Sequence, residues 1–151
     1  IELFETQLGL AGRLNLPVLI HNRLADKEVI ACLKRIKPPR GGILHCFSSG
    51  KDTAFSCVEL GFLISFAGNC TYPGAKEIRE AAKALPAEHI ILETDAPYLS
   101  PLPERGKINT PDKIIHTYNF IAELRQTQVE ALAEQVVENF SLLFPETKAL
   151  D

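Results

Sequence analysis

No apolar run in this 151-residue chain approaches the ~18 consecutive residues that cross a bilayer, which excludes a membrane-spanning helix and any membrane partner that needs one. Methionine and tryptophan are absent, and aromatic residues make up only 7%. Neither shortage excludes a core, because 46% of the residues are hydrophobic and the length suits one domain. An excess of positive charge is also missing. Sixteen Lys and Arg against 19 Asp and Glu give a formal net charge of −3, so no basic field announces a nucleic-acid binder and a polyanionic substrate has to be held locally. The four cysteines, Cys32, Cys46, Cys57 and Cys70, contain no C-x-x-C pair, which argues against a zinc ribbon or a thioredoxin-like redox centre. They read as reduced core residues, and the cytoplasm is the expected location. No repeat, low-complexity tract or linker divides the chain.

What the chain does have is three short apolar runs that each stop on a residue able to bind a metal. Val18-Leu19-Ile20 runs into His21, Ile43-Leu44 into His45, and Ile90-Ile91-Leu92 into Glu93-Thr94-Asp95. Such runs, separated by amphipathic stretches, predict buried parallel strands with helical crossovers, whose sites gather at the C-terminal strand ends. Two imidazoles and a carboxylate on one rim suit a hydrolytic divalent cation.

Helical spacing places Phe4, Leu8, Ala11 and Leu14 on a first helix, and Val29, Leu33 and Ile36 on a second over about residues 26–37 that Pro38-Pro39 ends. Further helices are expected over about residues 52–60 and 75–85, and strands at 18–20, 42–45, 62–66 and 89–93. The Pro-rich loop over residues 95–110 follows the last strand, where function tends to sit. Thr110-Pro111 reads as an N-cap and first helical position, and Thr127-Gln128-Val129-Glu130 as a capping box. This order predicts an α/β fold of parallel β/α units with right-handed crossovers. Four units are half of an eightfold barrel, and a closed barrel takes roughly 250 residues. Since Ile1 stands in helical register with no initiator Met, residues 1–151 are expected to form the C-terminal half of a TIM barrel whose N-terminal half is absent from this chain. A small open sheet of four strands, with helices on both faces, is the rival topology.

His21, followed by Asn22-Arg23, faces a loop mouth, as a ligand or as a rim histidine capping a carbonyl. In Leu44-His45-Cys46, alternation sends His45 into the mouth and Cys46 toward the helices; the alternative is a buried histidine satisfied by Ser48 or Ser49. Asp95 follows a buried run, where an ionised carboxylate needs a cation or several donors, unless it holds the Ala96-Pro97 bend as an Asx-turn. Glu93 shares its face, so one carboxylate can bind metal while the other orients it. Arg105 and Lys107 leave the same rim and suit a phosphate. His89, His116 and the basic helix face of Lys27, Lys34, Arg35 and Lys37 read as surface.

Taken in order, Leu-Pro-Val-Leu-Ile-His21, Leu-His45-Cys-Phe-Ser, Leu-Glu93-Thr-Asp95-Ala-Pro-Tyr-Leu and Pro103-Glu-Arg105-Gly-Lys107-Ile-Asn109-Thr-Pro111 resemble the TatD family of metal-dependent deoxyribonucleases over nearly the whole chain. The resemblance implies a TIM barrel of the amidohydrolase type that hydrolyses DNA phosphodiester bonds with two divalent cations (Mg, Mn or Zn). It implies that His21 and His45 hold one metal, that Asp95 binds the other and helps deprotonate the attacking water, and that Glu93 orients what surrounds Asp95. The family's His-x-His pair and bridging glutamate lie on strands outside this sequence, so the chain alone is expected to be a poor catalyst. Two further departures are Glu104, where many members carry His, and Ser48-Ser49-Gly50 in place of Ser-Gly. The implied partners are DNA and the N-terminal half-barrel, with self-association through open sheet edges also expected. Rival functions are another amidohydrolase acting on esters, amides or aminoacyl-tRNA, and a non-catalytic half-barrel module.

Overall fold

The computed structural model describes residues 1–145. The last residues of the expected 1–151 domain therefore lie outside the described residues. Helix α1 (Glu2–Leu14) carries Glu2 and Glu5 in its first turn and Arg13 in its last, complementing the helix dipole, and Asn15 closes it in the left-handed conformation. Strand β1 (Val18–His21), helix α2 (Asp26–Ile36), strand β2 (Gly42–His45), helix α3 (Lys51–Glu59), strand β3 (Phe62–Phe66), helix α4 (Lys76–Ala84) and strand β4 (Ile90–Leu92) follow as successive β/α units. Helices α5 (Ile114–Arg125) and α6 (Val129–Leu143) complete the described elements.

All four strands are parallel and lie in chain order β1-β2-β3-β4. Because that order never reverses, crossovers of one hand place α2, α3 and α4 on the same side of the sheet. The helices pack on one another in sequence, from α1 on α2 through α5 on α6.

Parallel register partners point to the same side, so the pairing sorts the strands into two faces. Ile20, Leu44, Ile64 and Ile90 share one face with Phe62 and Phe66, and none of the six is more than 3% exposed. They meet Val29, Leu33, Ala54, Cys57, Ala82 and Ile121 of the helices to form the core. Each large side chain buried there contributes roughly 1.5–3 kcal/mol. The opposite face carries Leu19, Ile43, Ser65 and Ile91, with His21 and His45 at its C-terminal end. Leu19 stays 67% exposed, and this face lines a cavity of about 530 Å³ with Val136, Val137 and Phe140 of α6. Asn139, buried beneath α6, fastens that helix to the entrance of β4 by donating Nδ2 to Ala87 O (2.8 Å) and Ile90 O (2.7 Å).

Three local expectations change. Strand β4 is shorter than 89–93, because His89 belongs to a 3-10 turn over Ala87–His89, although the Glu93 N–H still extends the ladder to Phe66 O (3.1 Å). Neither expected side-chain cap forms. Thr110 precedes a 3-10 turn over Pro111–Lys113, and Thr127 is used to end α5: Gln126 turns left-handed (φ 55°) and the Thr127 N–H reaches back to Ala122 O (3.0 Å). The cysteines are free and buried, as their setting in the sequence indicated. No helix among the described residues is long and apolar enough to cross a membrane.

Candidate metal centre

His21 and His45 end neighbouring strands as register partners, and their ring centroids stand 5.9 Å apart. Glu93, carried onto the same face by the continued ladder, meets His45 with one oxygen: Nδ1 lies 2.6 Å from Oε2. Its other oxygen accepts the Cys46 N–H. A carboxylate only accepts, so Nδ1 bears a proton, and in the neutral ring the lone pair is on Nε2. That Nε2 lies 3.4 Å from Asp95 Oδ1. Glu93 thus sets the direction of His45, and through it the face turned toward Asp95.

Cys46 takes a left-handed backbone (φ 48°), which breaks strand alternation and brings it to the cavity side, not toward the helices. Burial, then the charges of Asp95 and Glu93, push its thiol up to about 12, so it serves as a neutral S–H beside Asp95 and not as a thiolate. The alternative roles in the sequence are taken by other groups. Ser49 donates to Asp26 (2.7 Å) instead of His45. The bend after Asp95 is held by Thr94 Oγ1, which accepts the Ala96 N–H (3.3 Å), and by Asn109, which donates Nδ2 to Thr94 O (2.7 Å) and Tyr98 O (2.6 Å). Asp95 itself has φ 55°, and its backbone carbonyl accepts the Tyr98 N–H (2.9 Å).

His21, Cys46 and Asp95 line a cavity of about 320 Å³ together with Asn22, Arg23, Asn69 and Tyr98. Arg105 and Lys107 do not line it. The Arg105 guanidinium lies 4.4 Å from the centre of the Tyr72 ring, and Lys107 Nζ is paired with Glu104 Oε2 (2.9 Å). That hydrogen bond chiefly holds the Glu104 carboxyl below its ordinary value. Among the described residues, no group of three or more His, Cys, Asp or Glu side chains is placed to hold a metal ion by itself.

Residues that the sequence reading passed over tie the site together. Asp26, which the pattern marks only as a first-turn acid of α2, accepts from Asn22 Nδ2 (2.5 Å), Ser49 Oγ (2.7 Å) and Thr53 Oγ1 (3.0 Å). No local spacing joins positions 22, 49 and 53, so nothing in the sequence signals this. Burial pushes the Asp26 carboxyl up, but the bonds from Ser49, Asn22 and Thr53 outweigh it and hold it below its ordinary value. A depressed folded value stabilises the fold above the unfolded value and ceases to do so as pH falls through the folded one. Urea midpoints are therefore expected to drop below about pH 4, and the drop should be smaller in Asp26→Ala; an equal drop in both would remove Asp26 as its source.

A profile of TatD-related DNases matches residues 1–145. The chain belongs to the TatD family. It is 39% identical over 144 residues to the metal-dependent hydrolase YabD of Bacillus subtilis, covering 95% of this chain and 56% of that protein. The metal-dependent hydrolase YcfH of Escherichia coli K12 is also 39% identical over 144 residues, with 95% and 54% covered. The crystal structure of YJJV, a TatD homologue from Escherichia coli K12, superposes with a TM-score of 0.86 at 34% identity, over 91% of this chain and 53% of that one. This TatD-family chain spans a little over half the length of the curated relatives it matches.

Proposed function

We propose that the chain is the C-terminal half of a TatD-type barrel that hydrolyses DNA phosphodiester bonds with two divalent cations, Mg, Mn or Zn. The observation that carries this reading is His45 held between two carboxylates, Nδ1 on Glu93 and Nε2 toward Asp95, with the His21 ring beside it. This donor set fits divalent metals: an imidazole whose ring direction is fixed through Nδ1, a second imidazole and the Asp95 carboxylate. His21 and His45 would hold one cation and Asp95 the other, Asp95 also taking a proton from water. When bound, the cations would make water more acidic and polarise a phosphoryl oxygen. Asn22, Arg23 and Tyr98 would border the scissile phosphate, while Arg105 and Lys107, outside the cavity, would meet the strand farther along. The half-barrel part of the reading is supported by the exposed apolar side chains Leu19, Val137 and Phe140 around the cavity on that face, and by the fraction of each relative that the chain spans. The N-terminal half is then the partner of that face, with self-pairing of the bare chain as its substitute. Free, buried cysteines favour a reducing compartment, and we assign the cytoplasm.

In the complete protein, His21→Ala and Asp95→Asn are each expected to lower metal-dependent DNA hydrolysis by more than the roughly 10–100-fold that a supporting residue is worth. Full activity in either variant, assayed with added Mn²⁺, rejects the assignment. The 151-residue chain alone is expected to hydrolyse DNA weakly; robust turnover by it would reject the half-site reading.

A further inference from the structure

We propose that Asp26 is a positioning residue of the metal centre, one carboxylate that holds the His21 loop and the His45 loop in register and sets the Asn22 amide between them. The inference rests on the reading that these two histidines bind metal.

Asp26 is the first residue of α2, yet that helix has no side-chain cap bond. Its carboxylate reaches across to two other segments instead. Oδ1 takes Asn22 Nδ2, from the residue next to His21, and Ser49 Oγ, four residues beyond His45. Oδ2 takes Thr53 Oγ1 on the first turn of α3. The His45 loop is anchored to β3 by the Phe47 N–H on Ser65 O (2.8 Å), whereas the β1–β2 pairing ends at His21 and His45, so the shared charged acceptor ties the His21 loop to the anchored His45 loop.

Asn22 supplies a second, independent observation. Its Nδ2 faces Asp26, and the remaining Oδ1 is buried without a hydrogen-bond partner; the residue is 8% exposed and lines the cavity with His21. An unsatisfied buried carbonyl is costly and is retained where a ligand brings the missing donor. Asp26 fixes which way that amide points, because only Nδ2 can meet a carboxylate. An asparagine at position 26 would keep the size but lose the charge, and with its oxygen left to Asn22 and Ser49 its amide N–H₂ would face Thr53 Oγ1, which would have to accept where it now donates.

The test reads the two imidazoles directly. In ¹⁵N-correlated spectra of the metal-free complete protein, Asn22→Ala is expected to shift the His21 ring, Ser49→Ala the His45 ring, and Asp26→Asn both. Zn²⁺ affinity, measured by competition with a chromophoric chelator, should fall at least about tenfold in Asp26→Asn. A merely structural role would lower the melting temperature and leave the rings at their native positions below it. Unmoved rings with wild-type zinc affinity in Asp26→Asn overturn the proposal. If that variant does not fold, the two single-donor variants decide, and unmoved rings in both overturn it equally. A complete wild-type protein that binds no Zn²⁺, but whose rings shift as described, counts against the metal reading and supports the role of Asp26.

Discussion

Glu93→Gln is expected to weaken metal binding by roughly 10–100-fold, although glutamine is nearly the same shape. Two donors, His45 Nδ1 and the Cys46 N–H, now meet the two oxygens of one carboxylate. A glutamine has one oxygen for them. If that oxygen stays on the Cys46 N–H, the amide N–H₂ faces His45 Nδ1, and the ring escapes the clash by moving its proton to Nε2. The lone pair that pointed toward Asp95 is then lost. If the oxygen goes to His45 instead, the Cys46 N–H loses its acceptor at a residue already held in the left-handed region, a conformation that costs about 1–2 kcal/mol by itself. The tautomer is read from the ¹⁵N shifts of His45 and the affinity from zinc titration. Wild-type values for both would show that Glu93 does not orient the ring.

Gly42→Ala is expected to have the largest effect on stability, ~3 kcal/mol or more. A Cβ built there falls 1.9 Å from Val18 O and 2.8 Å from Val18 C and N, all backbone of the neighbouring strand. No side chain can rotate away to relieve this. The ladder pairs Val18 with Gly42 and His21 with His45, so β1 has to move outward and takes His21 with it. The same substitution should therefore separate the two rings as well as lower the urea midpoint. A midpoint within about 0.5 kcal/mol of wild type would mean that β1 yields easily at this edge. The preceding glycine is constrained differently: Gly41 has φ +58°, and its Cβ would meet Gly61 O at 2.0 Å.

These glycines mark where reading the chain stops. Gly42 is legible as the start of a strand but not as the point where β1 lies against it, because the close approach is made by a residue 24 positions away. Gly68 is similar. It reads as a turn residue after β3, yet an added Cβ there would meet Leu99 O at 2.2 Å, so it is the backbone of the Asp95 loop that requires it to be small. Cys46 and Asp95 show a further limit. Strand alternation predicts where a side chain points only while the backbone stays extended, and both residues leave it for positive φ at the strand ends where the chemistry gathers.

The sequence by itself determined the parallel strands, their order along the chain and the rim that carries His21, His45, Glu93 and Asp95. It could do so because apolar runs and helical spacing are local, and a residue that ends a buried strand has only one end of the sheet to occupy. The tertiary structure decided how those residues act on one another: Glu93 on His45 and through it on the surroundings of Asp95, Arg105 on Tyr72 and Lys107 on Glu104, and Asp26 between two loops. The reason is that hydrogen bonds reach only about 3 Å and ring and charge contacts little farther. Which groups come that close is settled by packing of segments far apart in the chain, and no local pattern of residues encodes it.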